Sequence, residues 1–330
     1  MNYNTWSNNF RNAAHKHDRD LFVFWLLLGA VLWLSGGCAL LKKHSRRCPI
    51  PEIFYNAGHR GARGLMPEET IPAMKKGLLE GANTLEFDLY VTKDDKLILH
   101  HDPSFNPDFE FLPDGSRIPA SARSRYILYK MDYADIRSFV VGGQYYPDFP
   151  EQQRMASYVP LLSEMIDSIE QFIGKDQLPT VYYMPQIGGT PAKAGVTNPS
   201  PAAFVQLLMA VLKPYLPRLK SRLIIQSFSA LPLQLLHQQY PEIALAYLTA
   251  SKTFTFEENI KRLTFNPDFY LPYFKLVTPT LVEQCHENNI KIVPWTVNDT
   301  MEMKRLMDLQ VDGIITDYPD RLAKLRKEGA

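Results

Sequence analysis

Residues 53–102 read IFYNAGHRGARGLMPEETIPAMKKGLLEGANTLEFDLYVTKDDKLILHHD, and this stretch decides the fold. The apolar run at 54–58 predicts a strand that stops at a glycine. Apolar residues at helical spacing over 71–80 predict a helix, and 85–91 predicts a second strand. Thr92-Lys93-Asp94-Asp95 then reads as a turn that sends Leu97–Leu99 back along it. Strand, helix and strand in succession form the unit of a parallel sheet.

Working outward, the pattern repeats. Further strands are predicted at 181–185, 223–226, 245–248, 270–276, 292–296 and 313–316, with helices at 158–173, 202–212, 280–288 and 301–309. Eight strands with helices between them, over ~280 residues, predict an α/β fold, a (β/α)8 TIM barrel. An open doubly wound sheet is the alternative, but no Gly-rich dinucleotide fingerprint follows the first strand. Segment 103–158 is rich in Pro, Tyr, Asp and Arg with weak periodicity, which predicts an insertion above the barrel mouth. The chain thus divides into a polar region 1–20, a hydrophobic segment 21–41, a basic linker 42–52 and a barrel at 53–330.

Composition bounds the function. The 330 residues are 45% hydrophobic and 22% charged, which is a folded globular balance. Net charge is +1, but seven Lys/Arg against two Asp/Glu fall in the first 50 residues, leaving the body slightly acidic. Nucleic acid is therefore not the expected partner. Cys38, Cys48 and Cys285 are too few for a disulfide framework or a four-thiolate zinc site. Any chemistry rests on oxygen and imidazole groups.

The segment LFVFWLLLGAVLWLSGGCALL, 21–41, runs for 21 residues without a charge. A bilayer-spanning helix needs ~20 apolar residues. In one reading 21–34 is the core of an export signal, and Ser35-Gly36-Gly37 before Cys38 resembles a bacterial lipobox. In the other it stays as a transmembrane anchor. Arg11, Lys16 and Arg19 then compete with Lys42, Lys43, Arg46 and Arg47 for the cytoplasmic side. The expectation is membrane association with the barrel on the extracytoplasmic side.

Barrel enzymes build their sites at the C-terminal ends of strands. His59 and Arg60 follow the first strand directly. Glu86 and Asp88 stand two apart on the second, so both carboxylates project from one face. The returning hairpin brings His100-His101-Asp102 towards the same mouth. Two carboxylates without a thiolate suit a hard divalent cation, Mg²⁺ or Ca²⁺. An arginine offers bidentate recognition of phosphate, and two imidazoles can act as base and acid near neutral pH. Together they suit phosphate-ester hydrolysis. A glycosidase using Glu86 and Asp88 is disfavoured, because carboxylates at i and i+2 stand too close to flank a scissile bond.

The run His59-Arg60-Gly61-Ala62-Arg63-Gly64, then Met66-Pro67-Glu68-Glu69-Thr70, Leu85-Glu86-Phe87-Asp88 and His101-Asp102 resembles the glycerophosphodiester phosphodiesterase family. Ile225-Gln226-Ser227-Phe228, Pro294-Trp295-Thr296-Val297-Asn298 and Asp312-Gly313-Ile314-Ile315-Thr316-Asp317 are similar to its later strands, in order. The resemblance implies a TIM barrel that hydrolyses glycerophosphodiesters to glycerol 3-phosphate and an alcohol with a divalent metal. It further implies His59 and His101 as the acid–base pair, Arg60 as a phosphate contact, Glu86 and Asp88 as metal ligands, and Trp295 packed against the glycerol.

Three positions depart from the family pattern. Glu69 stands where Asn is usual in Pro-Glu-Asn-Thr, and Ser229 where an Asp is usual. On the third strand, the best match puts Met184 at the position of a metal carboxylate and Gln186 at that of a phosphate-binding Lys. The alternative expectation is thus a weak or inactive membrane-tethered barrel that binds phosphodiesters.

Overall fold

The computed structural model describes residues 50–174 and 181–328. The hydrophobic segment 21–41, region 1–20 and most of the basic linker lie outside the described residues. Among the described residues no helix is long and apolar enough to cross a membrane.

Among the described residues, eight parallel strands alternate with eight helices of eight or more residues. The strands are β1 (Tyr55–Gly58), β2 (Thr84–Val91), β3 (Tyr182–Ile187), β4 (Ile224–Ser227), β5 (Ala244–Thr249), β6 (Phe269–Pro272), β7 (Lys291–Ile292) and β8 (Gly313–Thr316). The helices are α1 (Ile71–Leu79), α2 (Leu162–Ile173), α3 (Pro201–Leu212), α4 (Ala230–Gln239), α5 (Phe256–Leu263), α6 (Pro279–Glu287), α7 (Thr300–Asp308) and α8 (Pro319–Glu328). Each strand hydrogen-bonds its sequence neighbour from β1 to β7, and β8 returns to pair with β1. The last seam is nearly closed. Asp312 N–H donates to Ile292 O at 2.9 Å, and Ile315 N–H to Pro294 O at 2.9 Å. This is the predicted (β/α)8 barrel.

The elements start and stop for local reasons. Thr70 caps α1, its Oγ1 accepting the Ala73 N–H at 3.2 Å, with Pro72 in the first turn. Helix α2 begins four residues later than predicted, at Leu162, because Pro160 disfavours helical geometry in the residue before it. Leu162, Met165, Ile166, Ile169 and Ile173 then bury one helical stripe against the barrel wall, each stabilising by about 1.5–3 kcal/mol. Strand β7 is shorter than predicted, since Pro294 has no N–H to continue the ladder. Helices α4, α5 and α8 lie outside the predicted set.

The barrel interior is filled. Tyr55, Tyr182 and Phe269 pack edge-to-face at 5.6 and 5.2 Å, and Met184, Ala246, Leu271 and Val293 share the same buried cluster. These side chains form a packed floor and direct any chemistry to the strand C-termini.

The predicted loop 103–158 is a small folded layer. Strand Val140–Gly142 pairs antiparallel with Glu110–Phe111 and with Ala156–Ser157. Phe105 and Phe139 stack at 4.0 Å, within a buried cluster that includes Leu128, Ile136 and, from the β2 hairpin, Tyr90 and Ile98. His100 is buried here: its Nε2 lies 2.8 Å from Glu110 Oε1 and its Nδ1 2.7 Å from Asp102 O. Burial alone would lower the His100 pKa, but the Glu110 carboxylate outweighs it and holds the imidazole above its usual value.

A raised folded pKa means that the pair's stabilisation is complete below the unfolded value of about 6.5 and is lost as pH rises through the folded value. The melting-temperature gap between wild type and Glu110→Gln is therefore expected to be largest at mildly acidic pH and to narrow as pH rises. A gap that stays constant with pH contradicts the ion pair.

Candidate active site

The turn after β1 starts the site. His59 N–H donates to Thr316 O on β8 at 2.8 Å, and Gly61 N–H to Glu86 O on β2 at 3.2 Å. A Cβ on Gly61 would sit 2.5 Å from the Ala73 carbonyl carbon, at a φ of +89°, so glycine is required where the turn crosses α1. Arg60 itself takes a left-handed φ of +50°. Such strain persists only where the surroundings over-determine it, and here the turn aims His59 and Arg60 into the mouth.

On β2, Glu86 and Asp88 are both buried. Glu86 Oε2 accepts the Arg60 backbone N–H at 3.0 Å, and Glu86 Oε1 accepts Gln226 Nε2 from β4 at 2.6 Å. Asp88 Oδ2 lies 3.6 Å from Arg60 Nε, and Asp88 Oδ1 accepts the Gln186 amide. Burial, and after it the charge of Asp88, push the Glu86 carboxyl up to about 8. Arg60 Nη1 contacts Glu68 Oε1 at 2.5 Å and Arg63 Nε contacts Glu68 Oε2 at 2.7 Å. Burial disfavours the Glu68 charge, but these two guanidinium groups prevail and hold its carboxyl below the usual range.

All seven predicted site residues, His59, Arg60, Glu86, Asp88, His101, Gln186 and Trp295, line one cavity of about 160 Å³ at the strand C-termini, joined by Gln226 and Phe228. His101 comes to the rim on the β2 hairpin, its Nδ1 3.0 Å from Asp102 Oδ1. Trp295 is held by its indole N–H, which donates to Leu271 O at 2.8 Å, and Phe228 meets it edge-on at 5.4 Å.

Strand β3 runs alongside β2 at this point. Met184 pairs with Glu86 and Gln186 with Asp88 across the two strands. Met184 is fully buried in the barrel floor and does not line the cavity. Gln186, two residues nearer the mouth, is the β3 side chain that touches a carboxylate.

Three contributors were not assigned from sequence. Asp317 Oδ1 lies 2.6 Å from His59 Nδ1, while Asp317 Oδ2 accepts Asn298 Nδ2 at 2.6 Å. Gln226 braces Glu86 from β4. All three lie in quoted motifs, but only the neighbourhood of β8, β7 and β1 reveals that Asp317 meets His59. Burial lowers the His59 pKa against the pull of Asp317, and His59 in turn holds the buried Asp317 carboxyl low. A neutral His59 with its proton on Nδ1, donated to Asp317, leaves the Nε2 lone pair for the cavity. Among the described residues no three His, Cys, Asp or Glu side chains stand ready-made around a metal position.

Residues 59–321 match the glycerophosphoryl diester phosphodiesterase family, and the chain belongs to that family. A curated relative, the glycerophosphodiester phosphodiesterase of Bacillus subtilis (strain 168), is 27% identical over 323 residues, covering 94% of this chain and 99% of its own. Among solved structures, a protein of Silicibacter pomeroyi DSS-3 assigned to the glycerophosphoryl diester phosphodiesterases is 28% identical with a TM-score of 0.74, over 84% of this chain and 95% of its own. An Oleispira antarctica phosphodiesterase in complex with the product sn-glycerol-3-phosphate shares the fold at 18% identity and TM-score 0.64, over 84% and 97% of the two chains.

Nitrogen NMR of the His59 ring is expected to show a neutral imidazole with the proton on Nδ1 at neutral pH. Asp317→Asn should shift that proton towards Nε2, because the amide can present a donor to Nδ1. A wild-type ring that is doubly protonated, or protonated on Nε2, contradicts the assignment.

Proposed function

We propose that this protein hydrolyses glycerophosphodiesters to glycerol 3-phosphate and an alcohol in the cavity at the barrel mouth. The carrying observation is the convergence of His59, Arg60, Glu86, Asp88 and His101 on that one cavity, in a chain of this family. Water oxygen bonds to phosphorus as the bond from phosphorus to the alcohol oxygen breaks. His59, with Nε2 free, is placed to accept the proton of the attacking water. His101, at the exposed rim, is placed to donate one to the departing alkoxide. Arg60 faces the phosphate, and Trp295 with Phe228 offers an apolar wall to the glycerol carbons.

The oxygen donors around Glu86 and Asp88 fit a divalent cation, Mg²⁺ or Ca²⁺. Glu86 is pushed up to about 8 by burial and its neighbour's charge, and the buried Gln226 Oε1 has no hydrogen-bond partner. Glu86, Asp88 and the Gln226 carbonyl would hold the ion, with Gln186 turning its own carbonyl inward. Such an ion supplies positive charge that offsets the carboxylates and polarises the phosphate. Met184 and Gln186, where the family pattern has a carboxylate and a Lys, support the second reading, a weak or inactive barrel that binds phosphodiesters.

The anchor is a proposal from sequence alone: segment 21–41 tethers the protein to a membrane, with the barrel on the extracytoplasmic side. Wild-type protein should sediment with membranes, and a chain lacking residues 1–49 should not. Full-length protein that stays soluble without detergent contradicts the tether.

His59→Ala and His101→Ala are each expected to lower the rate of glycerol 3-phosphate release by ~10²–10⁴-fold. His100→Ala should act through stability instead. A mild effect of His101→Ala beside a severe loss of turnover per folded molecule in His100→Ala would reverse the assignment within the pair.

A further inference from the structure

Glu69 lies in the segment between β1 and α1, where the resembling pattern has Asn, and is buried with 4% exposure. Its Oε1 accepts the backbone N–H of Asp88 at 3.0 Å, which fixes the carboxylate beside β2. Its Oε2 is buried without a hydrogen-bond partner. Three buried carboxylates therefore share one neighbourhood, where Arg60 contacts Glu68 through Nη1 and lies 3.6 Å from Asp88 through Nε. Gln226 adds a second unpartnered buried oxygen, Oε1, in the same cluster as Glu86. Oxygen donors without hydrogen-bond partners, gathered around repelling carboxylates, are what a hard cation satisfies.

We propose that Glu69 supplies the third carboxylate of the divalent-cation site, providing from the β1–α1 segment the charge that β3 lacks. The proposal rests on the reading of Glu86 and Asp88 as cation ligands. The two departures compensate each other: β3 carries no carboxylate, and one is present at 69. An Asn at 69 would suit the left-handed φ of +57° better than Glu does. What Glu adds at this position is charge and reach. Glu69 lines the small pocket that shares His101 with the main cavity.

Calorimetric titration of the full-length protein with Ca²⁺ tests this, together with melting temperatures in EDTA. Glu69→Gln keeps an oxygen for the Asp88 N–H and removes the charge. Its Ca²⁺ affinity is expected to fall tenfold or more, while its melting temperature in EDTA rises because the repulsion is relieved. Adding Gln186→Glu to Glu69→Gln should restore most of the affinity by returning a carboxylate to β3. Unchanged affinity in Glu69→Gln overturns the proposal, and so does a loss of affinity accompanied by a lower melting temperature in EDTA, the mark of a purely structural support. Wild-type protein that binds no Ca²⁺ overturns the cation reading of Glu86 and Asp88, and this proposal with it. If Glu69→Gln does not fold, Glu69→Asn carries the same comparison.

Discussion

Glu86 and Asp88 are buried two residues apart on one face of β2, and their mutual repulsion is the constraint that organises the barrel mouth. Like charges in a low-dielectric setting destabilise each other strongly unless donors or cations surround them. The chain meets this with the Arg60 backbone N–H, the Gln226 and Gln186 amides and the Arg60 guanidinium. Arg60 can reach Asp88 because its backbone takes a left-handed turn, at a cost on the order of 1–3 kcal/mol. Glu68 then anchors both Arg60 and Arg63, so an electrostatic chain runs from β2 out to the β1–α1 segment.

A closed barrel suits this task because it supplies rigid strand ends on a dry floor. Tyr55, Tyr182, Met184 and Phe269 fill the interior below the carboxylates, so the cavity opens in one direction. The site side chains come from several strand ends and the turns that follow them. The folded insertion extends the same logic. His100, sealed against Glu110, ties the insertion to the hairpin that carries His101, and the His100 N–H donates to Asp88 O at 3.0 Å. The rim imidazole and the buried carboxylate thus share one backbone link.

Much of this was legible in the sequence because the signals are local. Strand β8 at 313–316 falls where the apolar run places it, and Glu86 and Asp88 share a face because strand periodicity is two. His59 and Arg60 face the mouth because they follow the first strand directly. Pro160 and Pro294 moved element ends by acting on backbone geometry that hydrophobic spacing does not register. On β3 every second residue faces inward, so Met184 and Gln186 are equivalent to a pattern. Only contact with Asp88 separates them. The insertion core was hidden for a related reason: Phe105, Leu128 and Phe139 come from separate short segments with no common period. The Asp317–His59 contact needed the knowledge that the last strand lies beside the first.

The account centres on a cation relieving the Glu86–Asp88 repulsion. The most direct test is anomalous scattering from crystals of the protein soaked with Mn²⁺, an oxygen-seeking stand-in for Mg²⁺. A single strong peak within about 2.0–2.6 Å of oxygens from both Glu86 and Asp88 is predicted. A site without anomalous density, with one of the two carboxyl groups protonated and hydrogen-bonded to the other, would contradict it.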